Sequence, residues 1–267
     1  MVSPRRPWPR SASAAPVAIA LLLSACGFSP LTHRLEVGQE PIVIFVAEGI
    51  DRHTDLFAVA AGGGAVAQVT FTPLVERHPR LSPSGDVVAF LRSRDTLPGT
   101  HANVILMNLL TGAEAAIALP QAAGEPVGLA WNDSATAVFV RTTSGVWRAP
   151  APPLTGAATL IAAGDSAVAD SALDTWLGSP RFARAINCAG SGLCIVGSRG
   201  DTTPLAPQGI SVIPWGSDSV GWFEKGTIVV RSLGPGRSRR VLWTEAPENP
   251  REGSYSAGAR TPPSDSP

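Results

Sequence analysis

The chain is 267 residues long, 44% hydrophobic and only 16% charged, which excludes a globally disordered protein and leaves room for one sizeable core. Its 27 glycines and 25 prolines, with no collagen period, argue against a helix bundle and for many short strands joined by tight turns. The formal charge is zero and no basic stripe runs along the chain, so a nucleic-acid partner is not expected.

Residues 1–25 read as an export signal. Arg5, Arg6 and Arg10 precede an uncharged apolar run over 14–25, too short to span a bilayer by itself. The run ends in Leu23-Ser24-Ala25-Cys26, which resembles the bacterial lipobox, where small residues precede a cysteine that is lipidated and heads the mature chain. The resemblance implies lipidation at Cys26. The alternative is an ordinary secretory signal that leaves Cys26 as a free thiol. Arg5-Arg6 hints at twin-arginine export, although Pro7-Trp8 are not the residues usual after such a pair. Gly27 stands where an aspartate favours inner-membrane retention, so outer-membrane sorting, facing the periplasm or the surface, is expected in a host with two membranes. Losing the leader leaves 18 basic against 21 acidic residues, a net charge near −3.

Residues 26–40 lack regular periodicity and read as a tether. The folded part is expected over 41–246. Its first unit has β-rich runs over 42–46, 55–59 and 66–71, with Ala61-Gly62-Gly63-Gly64 as a turn. The second places strands over 78–82, 87–92, 104–109 and 114–119, with Ser82-Pro83-Ser84-Gly85 and Thr111-Gly112 as turns. Four strands in about 45 residues is the size of one propeller blade. A third unit repeats the order over 127–131, 137–141, 145–149 and 158–162. The fourth, with strands over 181–185, 193–197 and 202–205, looks truncated. The fifth returns to form over 210–215, 220–223, 227–233 and 239–244. Cys188 and Cys194 remain as an even pair in an oxidising compartment, and the glycine-rich turn between them lets the two face each other across a hairpin. A disulfide is expected. Residues 247–267, with almost no apolar content and several prolines, read as a disordered tail.

Pro79, Leu81-Ser82-Pro83-Ser84-Gly85, Val87-Val88-Ala89-Phe90, Ile105-Leu106-Met107-Asn108 and Thr111-Gly112 together resemble the TolB-type propeller repeat. Ser84 and Asn108 replace aspartates of that repeat, so its turn-stabilising hydrogen bonds need other donors and acceptors. The resemblance implies an all-β fold, a β-propeller of TolB-like repeats with about five irregular or incomplete four-stranded blades, in a cell-envelope setting. Its other repeats are weak, and the extra N-terminal α/β domain of TolB has no counterpart in the chain.

No catalytic residue is expected. Gly-x-Ser-x-Gly is absent, and Ala189-Gly190-Ser191-Gly192 reads as the turn between the cysteines. His33, His53, His78 and His101 are scattered. Asp51, His53 and Asp55 would share one face if extended, yet read better as a solvated hairpin, and neither a metal nor a cofactor is expected. Arg77, His78 and Arg80 precede the Ser-Pro-Ser-Gly turn on the strand nearest the channel and are the candidate ligand contacts, with solvation of the channel as the alternative. The tryptophans read as packed between blades, except Trp176 in an irregular stretch. These features point to a non-catalytic, lipid-anchored propeller that binds a protein or peptide of the envelope. The rival is an envelope carbohydrate-binding protein or hydrolase with a site at the channel mouth.

Overall fold

Long apolar runs here bury both faces of a strand, and this decides how the sheets stack. The computed structural model describes residues 31, 35–49, 53–95, 101–163, 184–188, 192–196, 202–206, 210–215, 219–225, 227–232, 239–241, 243–244 and 248–257. In chain order the strands are β1 (Ile42–Glu48), β2 (Thr54–Ala60), β3 (Gly64–Ala65), β4 (Ala67–Gln68), β5 (Val75–Leu81), β6 (Val87–Ser93), β7 (Asn103–Asn108) and β8 (Glu114–Ile117). They continue with β9 (Pro126–Trp131), β10 (Ala137–Thr142), β11 (Gly145–Pro150), β12 (Thr159–Ala163), β13 (Arg184–Asn187), β14 (Leu193–Val196) and β15 (Thr202–Ala206). The last are β16 (Ile210–Trp215), β17 (Ser219–Glu224), β18 (Thr227–Ser232), β19 (Arg239–Val241), β20 (Trp243–Thr244) and β21 (Glu248–Ser256).

Among the described residues these form five antiparallel sheets, β21-β1-β2-β4, β5 to β8, β9 to β12, β13 to β15 and β16 to β19, in the pattern of a β-propeller. Alternation within single strands builds the interfaces. On β1, Ile42, Ile44 and Val46 pack with Val88 and Phe90 of the second blade, while Val43, Phe45 and Ala47 pack with Ile213, Phe223 and Ile228 of the fifth. On β6, Ala89 and Leu91 turn the other way, toward Leu129, Val138 and Val140 of the third. Leu193 and Leu205 meet Val220 and Trp222 between the fourth and fifth. A residue period of two, buried on both sides, thus makes β1, β6 and β17 spacers between two blades.

The fourth blade has three strands among the described residues, as its short sequence unit leads one to expect. Cys188 and Cys194 are disulfide-bonded with Cα atoms 5.3 Å apart, and Ile186 pairs with Cys194 across the hairpin of β13 and β14. Replacing both cysteines by serine is expected to lower stability by about 2 kcal/mol, read from urea unfolding, because the loop they close is short. Unchanged unfolding would contradict this.

Three expectations are corrected. The span 26–40 is not wholly a tether, since Leu31 and Val37 are buried with the core of the first two blades and Leu35 packs beside them. Leu35 donates back to the Leu31 carbonyl at 3.2 Å, and Glu40 Oε1 accepts the Glu36 N–H at 2.8 Å, so the segment folds into turns that place its apolar residues together. The tail expected from 247 is a strand over Glu248–Ser256 that pairs antiparallel with β1 and completes the first blade. The strand expected over 239–244 is two: β19 stays on β18, and β20 crosses to pair in parallel with β3. The fifth blade is thereby stitched to the first twice. Among the described residues no helix is long and apolar enough to cross a membrane.

The turns show how the missing aspartates are replaced. Asp86 accepts from the hydroxyls of Ser82 and Ser84, and Ser82 Oγ accepts the Val87 N–H at 3.2 Å. Asn108 Oδ1 accepts the Leu110 and Thr111 amides at 3.0 and 2.9 Å, so asparagine does the work of the carboxylate there.

Candidate functional site

The inner strands of the first two blades each carry an extra residue at the same level. On β5, Arg77 pairs with Leu91 and Arg80 with Ala89, so His78 and Pro79 together oppose Phe90. On β21, Gly253 pairs with Phe45 and Arg251 with Val46, which leaves Glu252 without a partner on β1. Both strands therefore bulge, and bulges re-aim side chains. His78 and Glu252 adopt φ of 53° and 44°, a left-handed conformation that costs a non-glycine residue about 1–3 kcal/mol.

The two bulges face each other. The His78 N–H donates to Glu252 Oε2 at 2.6 Å, and His78 Nδ1 lies 3.5 Å from the same oxygen. Around them stand Arg77 and Arg80 from β5 and Arg141 from β10, all half-buried and close enough to act on the His78 charge. Burial holds the His78 imidazole below its usual range, the arginines push the same way, and only Glu252 opposes them. Burial likewise lowers the Arg80 guanidinium, again opposed by Glu252. Arg80 Nη1 donates to its neighbour's carbonyl, Pro79 O, at 2.8 Å, and Arg77 Nη2 reaches Ser93 Oγ at 3.5 Å. The Nε atoms of Arg77 and Arg80 are buried without a hydrogen-bond partner. Among the described residues no carboxylate lies within 4.0 Å of either guanidinium.

The cluster is held from below and from the side. Trp131 Nε1 donates to the Arg80 carbonyl at 2.9 Å, tying β9 to β5. Leu81 N–H donates to Ser254 Oγ at 3.0 Å, and Ser256 Oγ donates to the Pro83 carbonyl at 3.2 Å, tying β21 to the same strand and to the turn that follows it. Between the second and third blades opens a pocket of about 280 Å³ lined by Ser84, Asp86, Asn108, Trp131 and Pro152 among others. Its polar groups are mostly engaged in the turns already described.

A second polar group lies between the first and second blades. Glu76 is 0% exposed and paired with Arg92, whose Nη2 stands 2.8 Å away, while Arg92 also forks onto both oxygens of Glu114 at 2.6 and 2.8 Å. Thr70 Oγ1 touches Glu76 Oε2 and lies 3.3 Å from Asp55 Oδ1, and it accepts the Leu56 N–H at 2.8 Å. Asp55 further accepts from Gln68 Nε2 at 2.9 Å. This is a connector between blades, buried at Asp55, Thr70 and Glu76 and open to solvent at Glu114.

The expected contacts Arg77, His78 and Arg80 are thus brought together, and Arg141 and Glu252 join them. Those two escaped sequence reading. The exposed signal for Glu252 was the alternation Glu252, Ser254, Ser256, whose three side chains all bond the backbone of the β5 segment. Of the hairpin set, Asp55 is turned into the connector and Asp51 lies outside the described residues. Among those residues no three His, Cys, Asp or Glu side chains are grouped as a metal site would need. His101 stands 3.1 Å from Glu125 on the surface. Trp131, Trp147, Trp215 and Trp222 are buried, and Trp215 stacks on Tyr255 at 4.5 Å. Cys26, His33 and Trp176 lie outside the described residues.

No family model matches the chain, and no curated protein does. Solved structures do show partial likeness. TolB from Acinetobacter baumannii aligns at 14% identity over 81% of this chain and 66% of its own, with a TM-score of 0.39. A structure assigned as TolB from Agrobacterium tumefaciens aligns at 13% identity over 80% and 70%, with a TM-score of 0.36. A candidate 6-phosphogluconolactonase of Bacteroides uniformis aligns at 11% identity over 76% and 82%, with a TM-score of 0.35. The chain spans just under two thirds of the Acinetobacter protein. The assignment to the β-propeller class rests on the five sheets and their order.

Proposed function

We propose that the protein is a non-catalytic β-propeller of the bacterial cell envelope, anchored through a lipid on Cys26, that binds a protein or peptide at the inner-strand end marked by Arg77, His78 and Arg80. The observation that carries the reading is the pair of facing bulges. They spend conformational strain to hold a cationic cluster whose guanidinium Nε atoms have no partner, and strain of that kind concentrates where a ligand is clamped. The lipobox-like Leu23-Ser24-Ala25-Cys26 and the export leader supply the address.

Pull-down from detergent-solubilised envelope, set beside hydrolysis assays on polysaccharides and peptides, tests the reading. The expected result is a protein partner retained by the wild type and lost on Arg77→Gln plus Arg80→Gln, with no turnover. Turnover that disappears with His78→Ala or Arg80→Gln would make the protein an enzyme instead. Cys26→Ser is expected to move it from the membrane fraction to the soluble one, and retention in membranes would count against the anchor.

A further inference from the structure

We infer that the cluster of Arg77, His78, Arg80 and Arg141 is a carboxylate-binding site for an acidic, extended peptide segment, and that Glu252 is its resident competitor. The inference rests on the scaffold reading and narrows it to one ligand chemistry.

Charge is the first argument. Three guanidiniums and one carboxylate, that of Glu252, act on His78, so its surroundings carry an excess of positive charge even with His78 neutral. The half-buried guanidiniums of Arg77 and Arg80, each with a buried Nε that has no partner, are costly to keep, and planar bidentate partners such as carboxylates fit the fork of Arg best. The only carboxylate within ion-pair reach of the Arg77, His78 and Arg80 side chains among the described residues is that of Glu252, and it reaches His78 and neither arginine. The two guanidiniums on β5 are therefore left for something else.

Geometry says what that something resembles. Glu252 is itself a glutamate on a β-strand, bulged so that its carboxylate accepts a backbone N–H of the neighbouring inner strand at 2.6 Å. The protein thus contains its own example of how an extended chain presents a carboxylate here. A partner strand with one or two acidic side chains would repeat that contact on the guanidiniums of Arg77 and Arg80. Glu252, sharing the same field, weakens the attraction for any second anion by ordinary like-charge repulsion.

The test is fluorescence anisotropy of the full chain with labelled hexaglutamate, hexaglutamine and hexalysine peptides. Hexaglutamate is expected to bind at least about tenfold more tightly than either other peptide, and added salt should weaken it. Arg77→Gln and Arg80→Gln should each weaken it about tenfold or more, and Arg148→Gln, on the exposed face of β11, should leave it unchanged. Glu252→Gln should strengthen it several-fold, an outcome that a purely structural role for Glu252 does not give. Equal binding of hexaglutamate and hexaglutamine overturns the inference, as does hexaglutamate binding that is unchanged in folded Arg77→Gln and Arg80→Gln proteins. If those variants fail to fold, equal or weaker binding by Glu252→Gln overturns it. Inorganic phosphate that binds as tightly as the peptide would define a small-anion site and overturn the peptide. An envelope partner still pulled down when hexaglutamate does not bind would remove the acidic ligand and leave the scaffold reading standing.

Discussion

Deletion of Glu248–Ser256 is expected to abolish cooperative folding, a loss on the scale of the whole stability of a domain, about 5–15 kcal/mol. The strand is the inner member of the first blade, and without it β1 becomes an unpaired edge lined by Ile42, Val43, Ile44 and Phe45. A long apolar edge of that kind pairs with other chains, so aggregation is the expected fate of the deleted protein. Three further ties go with it: the Glu252, Ser254 and Ser256 bonds to the second blade. The stack of Tyr255 on Trp215, which joins the first blade to the fifth, is lost as well. A synthetic peptide of residues 248–256 added in trans should restore a cooperative melt. A deleted chain that melts as sharply and as high as the wild type would overturn this account of how the first blade is completed.

The second large effect is at Glu76. Glu76→Ala is expected to cost about 3 to 5 kcal/mol at neutral pH, because it breaks a buried ion pair and strands the partners of a fully enclosed carboxylate. Arg92, with 12% of its side chain exposed, keeps Glu114, but Thr72 loses its Glu76 acceptor and Thr70 is left with Asp55 at 3.3 Å. The pH dependence separates charge from packing. Burial, the largest influence, raises the Glu76 carboxyl above its ordinary 4.5, with the Thr70 hydrogen bond and the Arg92 charge acting against it. A raised folded value means that the native state holds its proton more tightly than the unfolded chain does. The resulting stability is fully present below the unfolded value and is lost as pH rises through the folded one. Wild type measured against Glu76→Gln by urea unfolding should therefore lose ground as pH rises above the ordinary carboxylate value of 4.5. A difference that stays flat, or grows with pH, would show that the ion pair outweighs the desolvation.

Much of the propeller was legible because its blades announce themselves locally. Ser82-Pro83-Ser84-Gly85 ahead of Val87-Val88-Ala89-Phe90 encodes a turn and a two-sided buried strand, and both form where expected. The short fourth unit and the cysteine pair were legible for the same reason: spacing and turn chemistry act over a few residues. Arg77, His78 and Arg80 could be singled out because they interrupt a patterned segment. What they do to the backbone could not, since a bulge is defined only by its partner strand.

The feature most at odds with sequence reading is β21. Its nine residues hold little that is apolar, and composition alone places such a stretch in solvent. It folds because its stabilisation is not its own: the ladder comes from β1, the Glu252 and Ser254 side chains accept backbone N–H groups of β5, and Gly253 lets Ile213 approach to where a Cβ would lie 2.7 Å from its Cδ1. Leu31 and Val37 make the converse case, apolar residues too sparse to show a period that nonetheless find a core.

The all-β class, the blade-sized units, their turns, the disulfide pair and the cationic triad were all written in the amino-acid order, because each depends on neighbours within about one unit. It took the assembled sheets to make the C-terminal segment complete the first blade, to bring Glu252 and Arg141 to the triad, and to join Asp55 and Glu76 in a buried connector. Those contacts join residues far apart in the chain, where local preference carries no information and only the closure of the sheets on one another brings the partners within reach.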